Sequence, residues 1–397
     1  MGLKWDPFAT GVAEQELAFA AGVALDEKIH SQMPLTFFIP PTIDEKLILS
    51  LLQKPQPAVV FGVPGQGKTT LRLALTALSR RTQRKRLMVT FAMPKKLDSE
   101  PSWEMFAPQL SKQCAIDLFV QIVEHFNPIL DKPKDAQIEA LGRVLAFAGR
   151  PLARLIHGIL AKPEMDGRLG LADRWHAVDR LPVRAVQRTP ELLQLIEKIA
   201  TQIKQASKHV PGDWQQAVEV ANMWGFNEIF VLIDGVDTWS RSRKEMGALV
   251  EPFLRQLPMW ENGRIYGKFF LPTDLKENVL SLWPKEYKNQ LIELQWNKEQ
   301  LRQLLQVRLA AGGSRRVDLN GFVHPEWQAD LTEMLIEVAQ GSPRRLLKMT
   351  SALIDAHLTR IKNQELASHY FHKSNLSDET LNLITYVDWE QMIAEFS

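Results

Sequence analysis

Four buried-type residues, Ala58-Val-Val-Phe61, run directly into Gly62-Val-Pro64-Gly65-Gln66-Gly67-Lys68-Thr69-Thr70, and a helical pattern follows over 69–78. This succession of strand, glycine loop and helix constrains the fold more than any other feature of the chain. The glycines allow positive φ angles and a closer backbone approach than a Cβ would permit. A loop whose N–H groups turn inward is a concave anion site, and the helix it opens adds the positive end of its dipole. Lys68 brings a charge suited to the outer phosphates of a nucleotide, and the Thr69 hydroxyl can ligate Mg²⁺. The spacing G-x-x-x-x-G-K-[ST] stands in the context it demands, after a strand and at the start of a helix.

Four further strands are legible as short apolar or β-branched runs at 86–92, 229–233, 268–271 and 291–296. Between the second and third lies an interval whose apolar residues recur at three and four positions, which predicts helices over 103–126, 135–147, 189–207 and 214–224. After 297 the pattern is helical again, over 298–311, 327–339 and 343–361. Strands alternating with helices predict an α/β fold built on a parallel sheet. The organisation expected is an N-terminal arm at 1–56 and a P-loop nucleotide-binding core at 57–297. A large helical insertion at about 97–226 interrupts that core, a helical lid spans 298–362, and a short C-terminal segment covers 363–397. The stretch 161–188, with Pro163, Gly167, Gly170 and Pro182, is the least regular part and reads as a loop.

The strand at 229–233 ends in Asp234-Gly-Val-Asp237. A carboxylate at the C-terminal end of a central strand faces the crevice in which open α/β sheets bind their ligands. Asp234 is therefore assigned to Mg²⁺ or its bound water. Asp237 is the nearest candidate for a base that orients an attacking water, and it can equally cap the next helix.

Composition narrows the partners. With 48 Lys and Arg against 46 Asp and Glu, the chain is neither a dedicated polyanion binder nor an acidic tail protein. Its one cysteine, Cys114, has no metal-ligand spacing around it, and it predicts a reducing compartment. The apolar run at 17–25 has acidic flanks and no basic front, so neither a signal peptide nor a membrane span is expected and the chain reads as cytosolic. Eleven tryptophans are scattered along the chain and suit core packing.

The glycine loop, the acidic strand from Phe230 to Asp237, the strand ending Phe270-Leu-Pro-Thr273 and the segment Gly341-Ser-Pro-Arg344-Arg345 together resemble AAA+ and STAND ATPases, in a bacterial STAND-like or origin-recognition-like form. The resemblance covers about 57–96 and 227–362. It implies ATP and Mg²⁺ as cofactors, a polar sensor at Thr273, and a lid arginine, Arg344, brought to the γ-phosphate. It also implies a switch or oligomerising ATPase whose partner is a second copy or a separate effector protein. Most AAA+ enzymes carry a glutamate where this chain has Gly235, and STAND proteins usually add an acidic residue where it has Thr238, so slow hydrolysis is expected. The alternatives are a DNA-associated AAA+ ATPase of the loader or transposition-regulator kind, and a scaffold that nucleotide only stabilises.

Two basic features bear on nucleic acid and a third on a neighbouring subunit. Arg80, Arg81, Arg84, Lys85 and Arg86 form a cluster that reads as a solvated loop or a phosphate-contacting patch. The insertion carries Arg143, Arg150, Arg154, Arg168, Arg174, Arg180, Arg184 and Arg188, which suits DNA, RNA or an acidic partner. Arg264 precedes the sensor strand, where this class often presents a finger to a neighbouring subunit; a surface salt bridge is the other reading. Phe37-Phe38 and Pro40-Pro41 lie where AAA+ proteins often contact adenine, or pack against the sheet.

Overall fold

The computed structural model describes residues 52–83, 85–94, 100–161, 186, 189–206, 213–237, 241–311, 319–327, 330–371 and 383–396. Five strands form one sheet: β1 (Ala58–Phe61), β2 (Arg86–Ala92), β3 (Glu228–Asp234), β4 (Ile265–Leu271) and β5 (Leu291–Glu293). Their order is β2-β3-β4-β1-β5, and every pairing is parallel. The chain leaves β1 for the far edge at β2, returns through β3 and β4, and then passes beyond β1 to β5. Both spatial neighbours of β1 are thus distant in sequence, and at such a reversal a crevice opens at the C-terminal strand ends. The last strand is shorter than its sequence suggests, because Leu294 already leaves the ladder after donating to the Phe61 carbonyl at 2.8 Å.

The two-residue period of the strands sorts their side chains into two cores. Ala58, Val60, Met88, Phe230, Leu232 and Phe270 meet Leu71, Ala74 and Leu75 of helix α1 (Lys68–Thr82) on one face. On the other face Val59, Phe61, Val89, Val231, Ile233 and Phe269 share a core with the helices that follow β2 and β3. These are α2 (Trp103–His125), α3 (Asp135–Ala146), α4 (Arg150–Ala161), α5 (Pro190–Gln205), α6 (Trp214–Met223) and α7 (Arg243–Asn262). The helices of the insertion are therefore continuous with the sheet's own core. Ser102, Thr189 and Asp213 cap α2, α5 and α6 by accepting from backbone N–H groups of the first turn, and Ser242 and Glu245 form a capping box on α7. Helices α4 and α7 are additions to the pattern read from the sequence. The stretch 162–185 lies outside the described residues, as does the arm up to residue 51.

Beyond β4 come a short helix, α8 (Lys276–Leu282), and then a helical block where the lid is expected: α9 (Lys298–Ala311), α10 (Leu331–Ala339), α11 (Pro343–Phe371), which runs on past residue 362, and α12 (Tyr386–Phe396), which joins it from the expected C-terminal segment. Leu301, Leu305, Leu335, Leu346, Met349 and Leu353 form its core, joined by Trp389 and Met392 of α12. Reciprocal bonds between Asn297 and Gln300, at 2.9 and 3.0 Å, start α9 immediately after the last strand. Among the described residues no helix is long and apolar enough to cross a membrane.

Candidate functional site

The glycine loop leaves β1 at the crevice. Gly62 donates to the Leu271 carbonyl of β4 at 3.1 Å, so the loop starts in register with the neighbouring strand. Gly65 and Gly67 take φ of 93° and 88°, values that L side chains rarely adopt. Their lack of side chains is also used sterically. A Cβ on Gly65 would meet the Arg344 Cβ at 3.0 Å, and one on Gly62 would meet the Gln66 Oε1 at 3.1 Å. Gln66 closes the loop on itself: its backbone N–H donates to the Val63 carbonyl at 3.2 Å and its Oε1 accepts from the Val63 N–H at 3.0 Å. Pro64 is exposed at the tip, while Thr69 and Thr70 are half-buried in the first turn of α1.

Lys68 is buried and turned back into the loop. Its ammonium donates to the carbonyl of Gly62 at 2.8 Å and lies 2.9 Å from the Asp237 carboxylate. Asp234 ends β3 on the face that α1 covers, because it follows Phe230 and Leu232 at the two-residue period. Arg72 of α1, one turn beyond Lys68, therefore reaches it: Nε lies 3.0 Å from Oδ2, and both side chains are about 7% exposed. The other oxygen of Asp234 accepts from the Gly235 N–H at 2.8 Å. Beside them Arg241 spans the turn, donating to the carbonyls of Val236 and Pro94.

The remaining sequence-assigned residues converge on the same end of the sheet. Thr273 is half-buried two residues beyond the end of β4. Arg344, in the first turn of α11, donates its backbone N–H to the Gly65 carbonyl at 3.3 Å, and its side chain is exposed. Trp296, which follows β5, donates its indole N–H to the Gln66 carbonyl at 3.0 Å. Neither Arg72 nor Trp296 is marked as a site residue by the sequence. The four-residue step from Lys68 to Arg72 on one helix face was a signal for the first; Trp296 looked like one more packing tryptophan.

Two basic features find different roles. Arg80 is buried and paired with Glu124, and Arg86 is buried, paired with Glu228 at 2.7 Å and stacked 4.1 Å from the Phe230 ring centre. Neither is a solvated loop residue or a phosphate contact, since burial is compatible with a guanidinium only when it is paired in this way. Arg264 sits in a left-handed turn at the N-terminal end of β4, opposite the loop, and is exposed there. The side chains of Arg150 and Arg154, the residues Arg168, Arg174, Arg180, Arg184 and Arg188, and the segment Phe37–Pro41 lie outside the described residues; Arg143 pairs with Glu139 on the surface of α3.

The donor set fits the triphosphate of a nucleotide with a divalent cation: a glycine cradle, a helix N-terminus, an ammonium, a threonine hydroxyl and two carboxylates. No protein-family model matches the sequence, and no curated protein is significantly similar to it. Among solved structures it is similar to the Orc1 protein of Aeropyrum pernix in complex with DNA, with 12% identity over 92% of this chain and 69% of that one and a TM-score of 0.37.

Proposed function

We propose that this chain is an ATP- and Mg²⁺-binding ATPase of AAA+/STAND-like type, a slow switch whose helical lid responds to the nucleotide. The observation that carries the reading is the joint placement of the Gly62–Thr70 loop, the Asp234-Gly-Val-Asp237 turn, Thr273 and Arg344 at one end of a parallel sheet. In this reading the loop N–H groups and Lys68 bind the phosphates, and the Thr69 hydroxyl ligates Mg²⁺. Asp234, each of whose oxygens holds one donor, retains lone pairs for a metal-bound water. ATP supplies the phosphoanhydride that is cleaved. Asp237 orients the attacking water, and the phosphates take over Lys68 from it. Thr273 and Arg344 would act as sensors of the γ-phosphate.

The chain works as an oligomer of itself or through a separate effector protein. Association with DNA is the alternative, in which the arginines of the insertion contact the backbone. ATP binding and turnover, measured for the wild type and Lys68→Ala with and without duplex DNA, test the reading, beside sizing in ATP and in ADP. Lys68→Ala is expected to lose ATP binding by about a hundredfold, with a smaller loss of stability because Asp237 loses its partner, so folding of the variant is checked by circular dichroism. A folded variant with unchanged ATP affinity sinks the assignment. Turnover raised by DNA in a salt-sensitive way favours the DNA-associated reading, and a change of size in ATP favours the oligomerising switch.

A further inference from the structure

Two consecutive carbonyls of the glycine loop are held from the lid side. The Gly65 carbonyl accepts from the backbone N–H of Arg344 at 3.3 Å, and the Gln66 carbonyl from the indole N–H of Trp296 at 3.0 Å. A trans peptide points its C=O and N–H in opposite directions. The first of these peptides obeys this visibly: with its carbonyl drawn to Arg344, its N–H, on Gln66, turns away to the Val63 carbonyl. The second must do the same, so the bond from Trp296 turns the N–H of Gly67 away from the indole.

Trp296 is well placed to hold that peptide still. Its ring carbon Cζ2 lies 3.8 Å from where a Cβ on Gly67 would stand, and its own carbonyl is 3.7 Å from the corresponding point on Gly341, in the turn that leads to Arg344. It is half-buried against the lid core and directly precedes the cap of α9. A single side chain thus bridges the end of the sheet, the glycine loop and the lid. Gly67 in turn is the residue whose left-handed backbone opens α1.

On the nucleotide reading above, we propose that Trp296 is a positioning residue of the phosphate site: its indole N–H fixes the Gln66–Gly67 peptide with the Gly67 N–H facing the phosphates, and so links lid position to phosphate affinity. The bond is to backbone, so it acts on any ligand that carries a diphosphate or triphosphate.

The test uses the full chain, with ATP and inorganic pyrophosphate as probes. Trp296→Phe keeps the ring and removes the donor, and about a tenfold loss of affinity for both probes is expected, the usual weight of one oriented hydrogen bond. In wild-type protein labelled with ¹⁵N-tryptophan, the indole resonance assigned to Trp296 should shift when pyrophosphate saturates the site. A merely structural tryptophan would lower the melting temperature without that response. Equal affinities of wild type and W296F, or an indole resonance unmoved by saturating pyrophosphate, overturns the proposal. The resonance is read on the wild type, so it decides the matter even if W296F does not fold. A wild type that binds neither probe removes the nucleotide reading and the proposal with it, an outcome distinct from wild-type binding that W296F leaves unchanged.

Discussion

Arg72 and Asp234 show how strongly one residue can depend on another far along the chain. Each is withdrawn from solvent, and each carries a charge that its partner offsets at 3.0 Å. Removing one member of a buried ion pair leaves the other uncompensated, which typically costs about 3–5 kcal/mol. Replacing both with apolar side chains removes that penalty. Arg72→Met is therefore expected to lower unfolding free energy by about 3–5 kcal/mol, and Arg72→Met with Asp234→Leu by less than half as much. Urea unfolding of the two variants against wild type checks this. A double variant less stable than the single one would show that Asp234 is supported by groups other than Arg72. With the Gly235 N–H, Arg72 also fixes the orientation of the Asp234 carboxylate.

Among the elements, α2 has a task beyond covering the sheet. Strand β2 is an edge strand, and its outward backbone groups are a template for unwanted pairing. Side chains of α2 occupy them: Asp117 accepts from the Thr90 N–H at 2.8 Å, while Gln121 both accepts from the Met88 N–H at 3.3 Å and donates to the Met88 carbonyl at 3.0 Å. The helix thereby imitates a sixth strand with side-chain amide and carboxylate groups. Gln121→Leu removes both bonds and leaves two buried backbone groups unsatisfied, so a loss of about 1–3 kcal/mol is expected. Faster hydrogen exchange at the Met88 amide should accompany it. An unchanged exchange rate at Met88 would mean that the edge is protected by packing alone. The same helix carries Cys114, whose thiol is fully buried and pushed up well beyond the usual range by burial, with Asp117 adding to the effect. It is not a reactive thiolate.

Across the whole molecule, buried apolar residues are divided between the two-faced sheet core and the core of the lid, and the lid holds a carboxylate that ties its stability to pH. In the lid, Asp388 of α12 is buried between His357 and Arg360 of α11, and it accepts from the Thr385 N–H at 2.9 Å. Burial pushes its carboxyl up, but the hydrogen bonds from His357, Arg360 and Thr385, with the Arg360 charge, outweigh it and hold it at about 2. An unfolded aspartate titrates near 4, so the folded value is depressed. The stabilisation is therefore complete well above about pH 4 and is lost progressively as pH falls from about 5 through 2. Its size is about 2 kcal/mol by linkage. Lid stability followed by chemical denaturation should decline between about pH 5 and pH 2, and Asp388→Asn should flatten that decline while lowering stability at neutral pH. A variant as acid-sensitive as wild type would place the titrating group elsewhere.

The amino-acid sequence by itself determined what is local. The glycine loop is written in nine contiguous residues, because positive φ angles and phosphate chemistry depend on residue type at fixed spacing. The strands showed as short continuous apolar or β-branched runs, as parallel strands buried on both faces do, and the helices in their three- and four-residue steps. Helix α7 was hidden because Pro252 and Pro258 interrupt its pattern, and β5 was overread because Leu294 is buried like a strand residue without continuing the ladder. The tertiary structure decided what depends on strand order. The parallel arrangement set Asp237 beside Lys68 and Asp234 beside Arg72, 162 residues apart in the chain. It also withdrew Arg80 and Arg86 from solvent into ion pairs and brought Trp296 onto the Gln66 carbonyl. Periodicity tells which face of an element is apolar; which charged or aromatic group meets which backbone atom is settled only when the sheet assembles, since those contacts are made between segments that share no local pattern.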